Sequence, residues 1–295
     1  MKANTLKIEK GEVSFHLIAV PLFIFFTFLC VYPFYYLLIS TISDRQLVDL
    51  GRIAFIPRGI HFSNYIEIFR LQNLNNAVLV SVSRVLLGTT LNLFCTSYLA
   101  YFFTKQEMWG RKVWYRMVVV TMYFSAGLIP IFLNNRMLGL VNTYFIYIIP
   151  GLVSVFNLIL VKTSIESMPP DLEESAYLDG AGYMLRYFLI VLPLQKPILA
   201  TVALFTAVGH WNDFFTTKLY ITNTSLYTMQ FLLYEMLTQI RSAAEQIIGE
   251  NPYASITPTG IRLTLTAIVV IPIMLVYPFI QRYYVKGIMI GAVKG

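Results

Sequence analysis

The middle of the chain contains an acidic segment, Met168-Pro169-Pro170-Asp171-Leu172-Glu173-Glu174-Ser175-Ala176-Tyr177-Leu178-Asp179-Gly180-Ala181-Gly182. Proline is accepted in a first helical turn, and the three carboxylates that follow lie where the positive end of a helix dipole favours them. Gly180 and Gly182 favour conformations that end a helix. We therefore predict an amphipathic helix over 171–179, a turn, and a second short helix over 183–191. Such a rigid knob is suited to docking into another protein.

The rest of the chain is strongly apolar. Of 295 residues, 57% are hydrophobic and 13% charged, whereas a soluble domain has about 25% charged residues. A membrane helix needs roughly 20 apolar residues, and a transmembrane β-strand would instead show short segments of alternating polarity. We therefore predict an all-α polytopic membrane protein with six transmembrane helices. These are 15–39, 77–103, 113–133, 140–161, 197–220 and 261–284.

The positive residues orient these helices. If the N-terminus is cytoplasmic, thirteen of the 22 Lys and Arg residues fall in inner segments, four of them within 105–116. Cytoplasmic loops of membrane proteins carry this excess. Both termini are therefore predicted to be cytoplasmic, with the first apolar run retained because it is too long for a signal peptide. The tails and longer connecting segments are inner 1–14, 162–196 and 285–295, and outer 40–76 and 221–260.

The sequence contains none of the common catalytic or nucleotide-binding motifs that we searched for. It lacks a Gly-x4-Gly-Lys-Ser/Thr phosphate loop, a His-Glu-x-x-His motif and a Gly-x-Ser-x-Gly motif. Cys30 and Cys95 lie in apolar runs, and the three histidines are scattered. No basic stripe with interleaved aromatic residues indicates nucleic acid. We predict a membrane protein that is not an enzyme and has no cofactor or metal of its own.

The central segment resembles the EAA loop of membrane subunits of bacterial ABC importers. That loop reads Glu-Ala-Ala, three residues, Gly, nine residues, Ile-x-Leu-Pro, and this chain departs from it only at Ser175. The six matching positions are Glu174, Ala176, Gly180, Ile190, Leu192 and Pro193.

The resemblance extends along the chain. Residues 168–172, 138–143 and 211–213 are similar to the carbohydrate-importer branch. Residues 43–44, 124–130 and 257–295 are similar to the subgroup associated with polysaccharide-derived oligosaccharides.

This resemblance implies a MetI-like permease fold in the bacterial cytoplasmic membrane. It also implies a heterodimer with a second, homologous permease, two ABC ATPase subunits that carry ATP and Mg²⁺, and an extracytoplasmic sugar-binding lipoprotein. The 171–179 helix would fit a cleft on the ATPase, with Glu174 facing basic or hydrogen-bonding groups. The implied ATPase-coupling residues are Asp171, Glu173, Glu174, Ser175, Ala176, Asp179, Gly180, Gly182, Ile190, Leu192 and Pro193.

Polar residues inside the apolar segments are the candidates for a substrate path. A carboxylate there usually faces a cavity, so Asp213 is either a structural anchor or part of the path. Trp211 fits an interfacial tryptophan belt. Asn92 and Asn157 favour interhelical hydrogen bonds over sugar contact, and Arg84 is expected to snorkel outward. The candidates are Asn92, Asn157, Trp211, Asn212 and Asp213.

Two alternatives remain open at this point. An ABC importer for peptides, amino acids or ions would carry the same loop. Secondary transporters often show inverted repeats with broken helices and intramembrane ion ligands. We detect no paired repeat, and a secondary transporter would leave the 35-residue segment 162–196 unexplained.

Overall fold

A computed structural model describes residues 10–69, 73–247 and 259–292 of the protein. These residues form helices, turns and bends, with no strand among them. Parts of the predicted segments 1–14, 221–260 and 285–295 lie outside them. The helices are α1 Lys10–Thr41, α2 Arg45–Asp49, α3 Ser63–Phe69, α4 Leu74–Phe102, α5 Arg111–Val120, α6 Leu128–Met137, α7 Val155–Glu166, α8 Asp171–Leu178, α9 Tyr183–Arg186, α10 Leu192–Leu194, α11 Lys196–Asn212, α12 Phe215–Tyr220, α13 Met229–Ile247 and α14 Thr259–Ala292.

The chain divides into two compact units. The first comprises Met1–Arg70 and Glu245–Ile268. In it, Ile39, Val48 and Ile53 form a small buried core against Leu263. The Asp44 carboxylate begins α2 by accepting hydrogen bonds from the backbone N–H groups of the second and third residues that follow it. Most apolar side chains along the described part of α1 are exposed, as expected of a helix that faces lipid.

The second unit comprises Leu71–Ala244 and Val269–Gly295, and α4 is its central helix. Helices α7 and α11 pack against α4. Near one end of α4, the buried core includes Tyr101, Leu158, Tyr187 and Val202. Segment 162–196 and the polar residues discussed below all belong to this unit.

Two described helices are each long and apolar enough to cross a membrane, His16–Thr41 and Leu74–Phe102. Two further spans are present if each bent helix pair counts as one. These pairs are Tyr144–Gly151 with Val155–Glu166, bent by 44°, and Tyr183–Leu194 with Lys196–Asn212, bent by 81°.

The third apolar segment, 113–133, is not the single helix that the sequence suggested. Helix α5 ends at Val120, and α6 begins at Leu128. Gly127 lies between them with a φ of +86°, which residues other than glycine rarely adopt. Pro130 follows in the first turn of α6, where proline is accepted. The local turn chemistry therefore outweighs the continuous hydrophobicity of this segment.

Helices α4 and α11 approach closely at Gly88. A Cβ added to Gly88 would lie 2.5 Å from Nε2 of His210, closer than real Cβ contacts allow. The absence of a side chain on α4 therefore makes room for an imidazole on α11.

We expect Gly88→Ala to destabilise the protein relative to Gly209→Ala. A Cβ at Gly209, also on α11, would meet nothing within 4 Å. Both changes raise helix propensity, but only Gly88→Ala places an extra atom against His210. Overpacking of this kind lowers the free energy of unfolding by about 1–3 kcal/mol. Thermal unfolding of the purified variants in mild detergent measures the difference. Equal stability of the two variants would contradict the close approach.

Candidate functional site: the coupling loop and a polar cavity

Helix α8 carries the matched Glu-Ser-Ala positions. It begins directly after Pro170, whose carbonyl accepts hydrogen bonds from the N–H groups of Glu173 and Glu174, each at 3.0 Å. Three carboxylates lie in its first turn, where the helix dipole favours negative charge. The Ser175 hydroxyl donates to the Asp171 carbonyl at 2.8 Å. The departure from the Glu-Ala-Ala pattern is thus accommodated within the helix.

Gly180 ends α8 in a Schellman motif. The Gly180 N–H donates to the Tyr177 carbonyl at 3.0 Å, and the Ala181 N–H donates to the Ala176 carbonyl at 2.9 Å. The motif requires a left-handed residue, and Gly180 has a φ of +83°. Gly182 does not stop the helix as the sequence suggested. It precedes α9 in an extended conformation, with a φ of −69°.

The adjacent glutamates of α8 lie in different environments. Glu174 is exposed, together with Asp171, Ser175 and Asp179. Glu173 is partly buried and contacts Lys105 and Arg186. The loop therefore presents one acidic face outward and holds one carboxylate against the protein.

The second half of the loop returns toward α11. Residues Tyr187–Val191 form a π-helical turn between α9 and α10. Pro193 has no N–H to donate to the Leu189 carbonyl, which favours this widened turn. Ile190 and Leu192 are partly buried, whereas Pro193 is exposed.

A polar cavity of about 750 Å³ lies among α4, α7 and α11. Its lining combines amide, hydroxyl, imidazole, carboxylate and guanidinium groups with aromatic rings. The polar side chains in the lining are Arg84, Asn92, Tyr147, Ser154, Asn157, Thr206, His210, Asp213 and Thr216, and the phenyl rings are Phe156 and Phe205. Such a lining offers hydrogen-bond partners and flat apolar faces.

Asn92 and Asn157 both make interhelical hydrogen bonds, as the sequence favoured. The Asn92 amide donates to the Gly151 carbonyl at 2.7 Å, and its oxygen accepts from the Thr206 hydroxyl at 3.1 Å. The Asn157 amide donates to the same hydroxyl at 3.3 Å. The network ties α4, α7 and α11 together at the wall of the cavity.

Arg84 does not snorkel outward. It is 3% exposed and forms an ion pair with Asp213. Its Nη1 also donates to the Asp213 carbonyl at 3.0 Å, and its guanidinium lies 4.5 Å from the centre of the Tyr147 ring. Partners that come from distant parts of the chain make burial more favourable than exposure at the helix end.

Asp213 joins the two roles that the sequence left open. Its other carboxylate oxygen accepts from the Thr216 N–H at 3.0 Å, across the break between α11 and α12. The same side chain lines the cavity. The residue therefore anchors the helix break and contributes charge to the cavity wall.

Trp211 and Asn212 lie apart from this cavity. The Trp211 indole N–H donates to the Val269 carbonyl of α14 at 2.9 Å. Asn212 is exposed. Among the residues that the structure describes, neither is part of the cavity lining.

Sequence reasoning missed Tyr147, Thr206 and His210 as cavity residues. The polar groups of Tyr147 and Thr206 are ordinary in apolar helices. A signal was present for Arg84, because an arginine and an aspartate in separate apolar segments suggest a compensating pair.

Comparison with known proteins identifies the family. Residues 92–290 match the model of the binding-protein-dependent transport system inner membrane component. A similar curated protein is the polygalacturonan/rhamnogalacturonan transport system permease protein YtcP of Bacillus subtilis (strain 168). It is 35% identical over 271 residues, which cover 92% of this chain and 94% of the relative.

Solved structures agree with this family. The chain is similar to a bacterial ABC transporter involved in the import of the acidic polysaccharide alginate, with a TM-score of 0.84 and 27% identity. The match covers 94% of this chain and 98% of the other. A bacterial alginate ABC transporter in complex with an alginate pentasaccharide-bound periplasmic protein shares the fold. Its TM-score is 0.57 at 16% identity, over 95% of this chain and 96% of the other.

The EAA spacing, the helical fold and these matches agree, and the chain belongs to the family of binding-protein-dependent transport system inner membrane components, which are transporter subunits and not enzymes.

Proposed function

We propose that this chain forms half of the translocation pathway of an ATP-driven oligosaccharide importer. The observation that carries the proposal is the pairing of two features in one compact unit. Helix α8 presents the exposed Glu174 with the family spacing, and the cavity among α4, α7 and α11 supplies a polar and aromatic lining. The exposed face of α8 suits coupling to an ATPase subunit, and the cavity lining suits the passage of a hydroxyl-rich solute.

In this proposal the chain crosses the bacterial cytoplasmic membrane six times, with both termini in the cytoplasm. Segment 162–196 then lies on the cytoplasmic side and contains α8. The excess of Lys and Arg in the assigned inner segments supports this orientation. The break at Asp213 is irregular backbone at membrane depth, which is tolerated where it lines a cavity.

The proposed assembly contains a second, homologous permease, two ATPase subunits that bind ATP and Mg²⁺, and an extracytoplasmic sugar-binding protein. The complex of the alginate transporter with a sugar-bound periplasmic protein supports delivery by a binding protein. ATP-driven closure of the ATPase pair would reach the membrane segments through α8 as rigid-body rocking.

The proposed cargo is an oligosaccharide derived from a polysaccharide. YtcP is a polygalacturonan/rhamnogalacturonan transport system permease protein, and the similar solved transporter is involved in the import of alginate. The cavity walls combine hydrogen-bonding groups with the rings of Phe156 and Phe205, which suits the hydroxyl groups and the apolar faces of sugar rings.

The test is purification of the complex from host membranes, followed by ATPase assays with its binding protein and a panel of solutes. The panel contains oligosaccharides of galacturonic acid, rhamnogalacturonan and alginate, neutral hexose oligosaccharides, and peptides. We expect co-purification of ATPase subunits and stimulation by at least one oligosaccharide. Stimulation only by peptides, or recovery of the chain without an ATPase, would contradict the proposal.

A further inference from the structure

Glu173 is held by three groups from outside α8. Its Oε1 accepts a hydrogen bond from the Tyr101 hydroxyl at 2.7 Å and forms an ion pair with Lys105. Arg186 Nη1 lies 3.3 Å from the same oxygen. Only 21% of the Glu173 side chain is exposed. This carboxylate therefore faces the body of the protein, whereas the neighbouring Glu174 faces outward.

The three groups come from two different parts of the chain. Tyr101 lies in the last turn of α4, and Lys105 follows the end of that helix. Arg186 ends α9. Glu173 is thus the point at which α8, α9 and the end of α4 meet.

Aromatic rings hold the two cations in place. The Lys105 ammonium lies 4.0 Å from the centre of the Tyr101 ring. The Arg186 guanidinium lies 4.5 Å from the Tyr183 ring and 5.2 Å from the Tyr177 ring of α8. Cation–π contacts of this kind add to the attraction of an ion pair and restrict its geometry.

The charge balance makes Glu173 indispensable to this cluster. The Glu173 carboxylate pairs with two largely buried cations, and Glu107 adds only a smaller attraction to Lys105. Burial acts to raise the pKa of Glu173, but hydrogen bonds from Lys105 and Tyr101 and the nearby positive charges hold that pKa below its ordinary value. Burial lowers the pKa of Lys105, and the charge of Arg186 adds to this effect. The carboxylate is therefore ionised at neutral pH.

Helix α4 connects this cluster to the cavity. Asn92, in the cavity wall, lies nine residues before Tyr101 on the same helix, a distance of about 14 Å along the axis. A rigid joint between α8 and the end of α4 would carry a displacement of α8 to the cavity wall.

We propose that Glu173 is a positioning residue that fixes α8 to the end of α4, so that movement imposed on the exposed face of α8 moves α4. This inference rests on the proposed function. It assigns the two adjacent glutamates different tasks, because Glu174 faces the ATPase while Glu173 transmits the motion inward.

The test variant is Glu173→Gln in the purified complex, reconstituted in vesicles with its ATPase subunits and binding protein. Glutamine keeps the acceptor for Tyr101 but removes the carboxylate that Lys105 and Arg186 share. We expect the ATPase subunits to co-purify as in the unchanged complex. Sugar imported per ATP hydrolysed should fall at least roughly tenfold, because loss of one partner of a buried pair shifts a local equilibrium by that much or more. The sugar is the panel member that the unchanged complex imports fastest.

Two further variants sharpen the test. Glu166→Gln removes a second ion pair, between Lys162 and Glu166, in which the glutamate side chain is 46% exposed. This variant should leave the ratio of sugar imported to ATP hydrolysed unchanged. The double variant Lys105→Gln/Glu173→Gln also removes one of the two cations, and it should restore part of the ratio of sugar imported to ATP hydrolysed. Such non-additive effects are expected of residues in contact. Amide hydrogen exchange within 171–178 should be faster in Glu173→Gln and slower again in the double variant.

An unchanged ratio of import to ATP hydrolysis in Glu173→Gln would overturn the positioning role. Loss of the ATPase subunits from that variant would also overturn it, because Glu173 would then be part of the docking contact. If the unchanged complex lacks an ATPase, the proposed function itself fails, and this role fails with it.

Discussion

Glu174→Ala is expected to abolish sugar uptake and the ATP hydrolysis coupled to it, while the binding protein still captures its sugar. Glu174 is exposed in the first turn of α8 and has the position of the glutamate in the family loop. The change removes the charged group that we propose faces the ATPase but leaves the fold of α8 intact, since alanine is a good helix former. Uptake in vesicles and binding-protein-stimulated ATPase activity measure the loss.

A companion variant acts on the shape of the same loop. Proline cannot adopt the φ of +83° found at Gly180, and it also lacks the N–H that donates to the Tyr177 carbonyl. Gly180→Pro should therefore unravel the end of α8 and stop uptake as well. Gly209→Ala, a glycine substitution without a close contact on α11, controls for the general effect of such changes on stability. Normal uptake in both Glu174→Ala and Gly180→Pro would contradict the assignment of this loop to docking.

Asp213→Ala is expected to produce the largest loss of stability. The change leaves the Arg84 guanidinium, which is almost wholly buried, without its carboxylate, and it removes the acceptor of the Thr216 N–H. Breaking a buried ion pair from one side costs about 3–5 kcal/mol. The free energy of unfolding in mild detergent, together with the yield of assembled complex, measures this effect.

The control is again Glu166→Gln, because its more exposed ion pair is worth at most about 1 kcal/mol. Asp213→Asn separates the two roles of the residue, since the amide keeps a hydrogen-bond acceptor without the charge. Normal stability and assembly in Asp213→Ala would contradict the anchoring role. If Asp213→Asn also left uptake unchanged, the contribution to the path would be contradicted as well.

The helical class and the short helix α8 were accessible from the sequence because their signals are local. Apolar composition, the proline before α8 and the glycine after it act within a few residues. The breaks in 113–133 were not foreseen, because hydropathy alone does not distinguish a straight helix from two helices joined at Gly127. Hydropathy averaged over a long window does not reveal a single glycine that adopts a left-handed backbone conformation.

The candidate site residues were predictable where their signal is local, and not where it depends on residues far away in the sequence. Asn92 and Asn157 stood out as polar residues in apolar segments, and the structure shows both in interhelical hydrogen bonds. The burial of Arg84 depends on Asp213, which lies 129 positions away. Likewise, the orientation of Glu173 depends on Lys105, 68 positions away. Such pairings follow from packing and are not visible in any single segment.

The most direct measurement is sugar uptake by vesicles that contain the reconstituted complex, with the binding protein outside and ATP inside. We predict uptake of an oligosaccharide that requires both ATP and the binding protein and that persists when proton and sodium gradients are collapsed. Uptake that continues without ATP and stops when an ion gradient is removed would contradict an ATP-driven importer and would identify a secondary transporter.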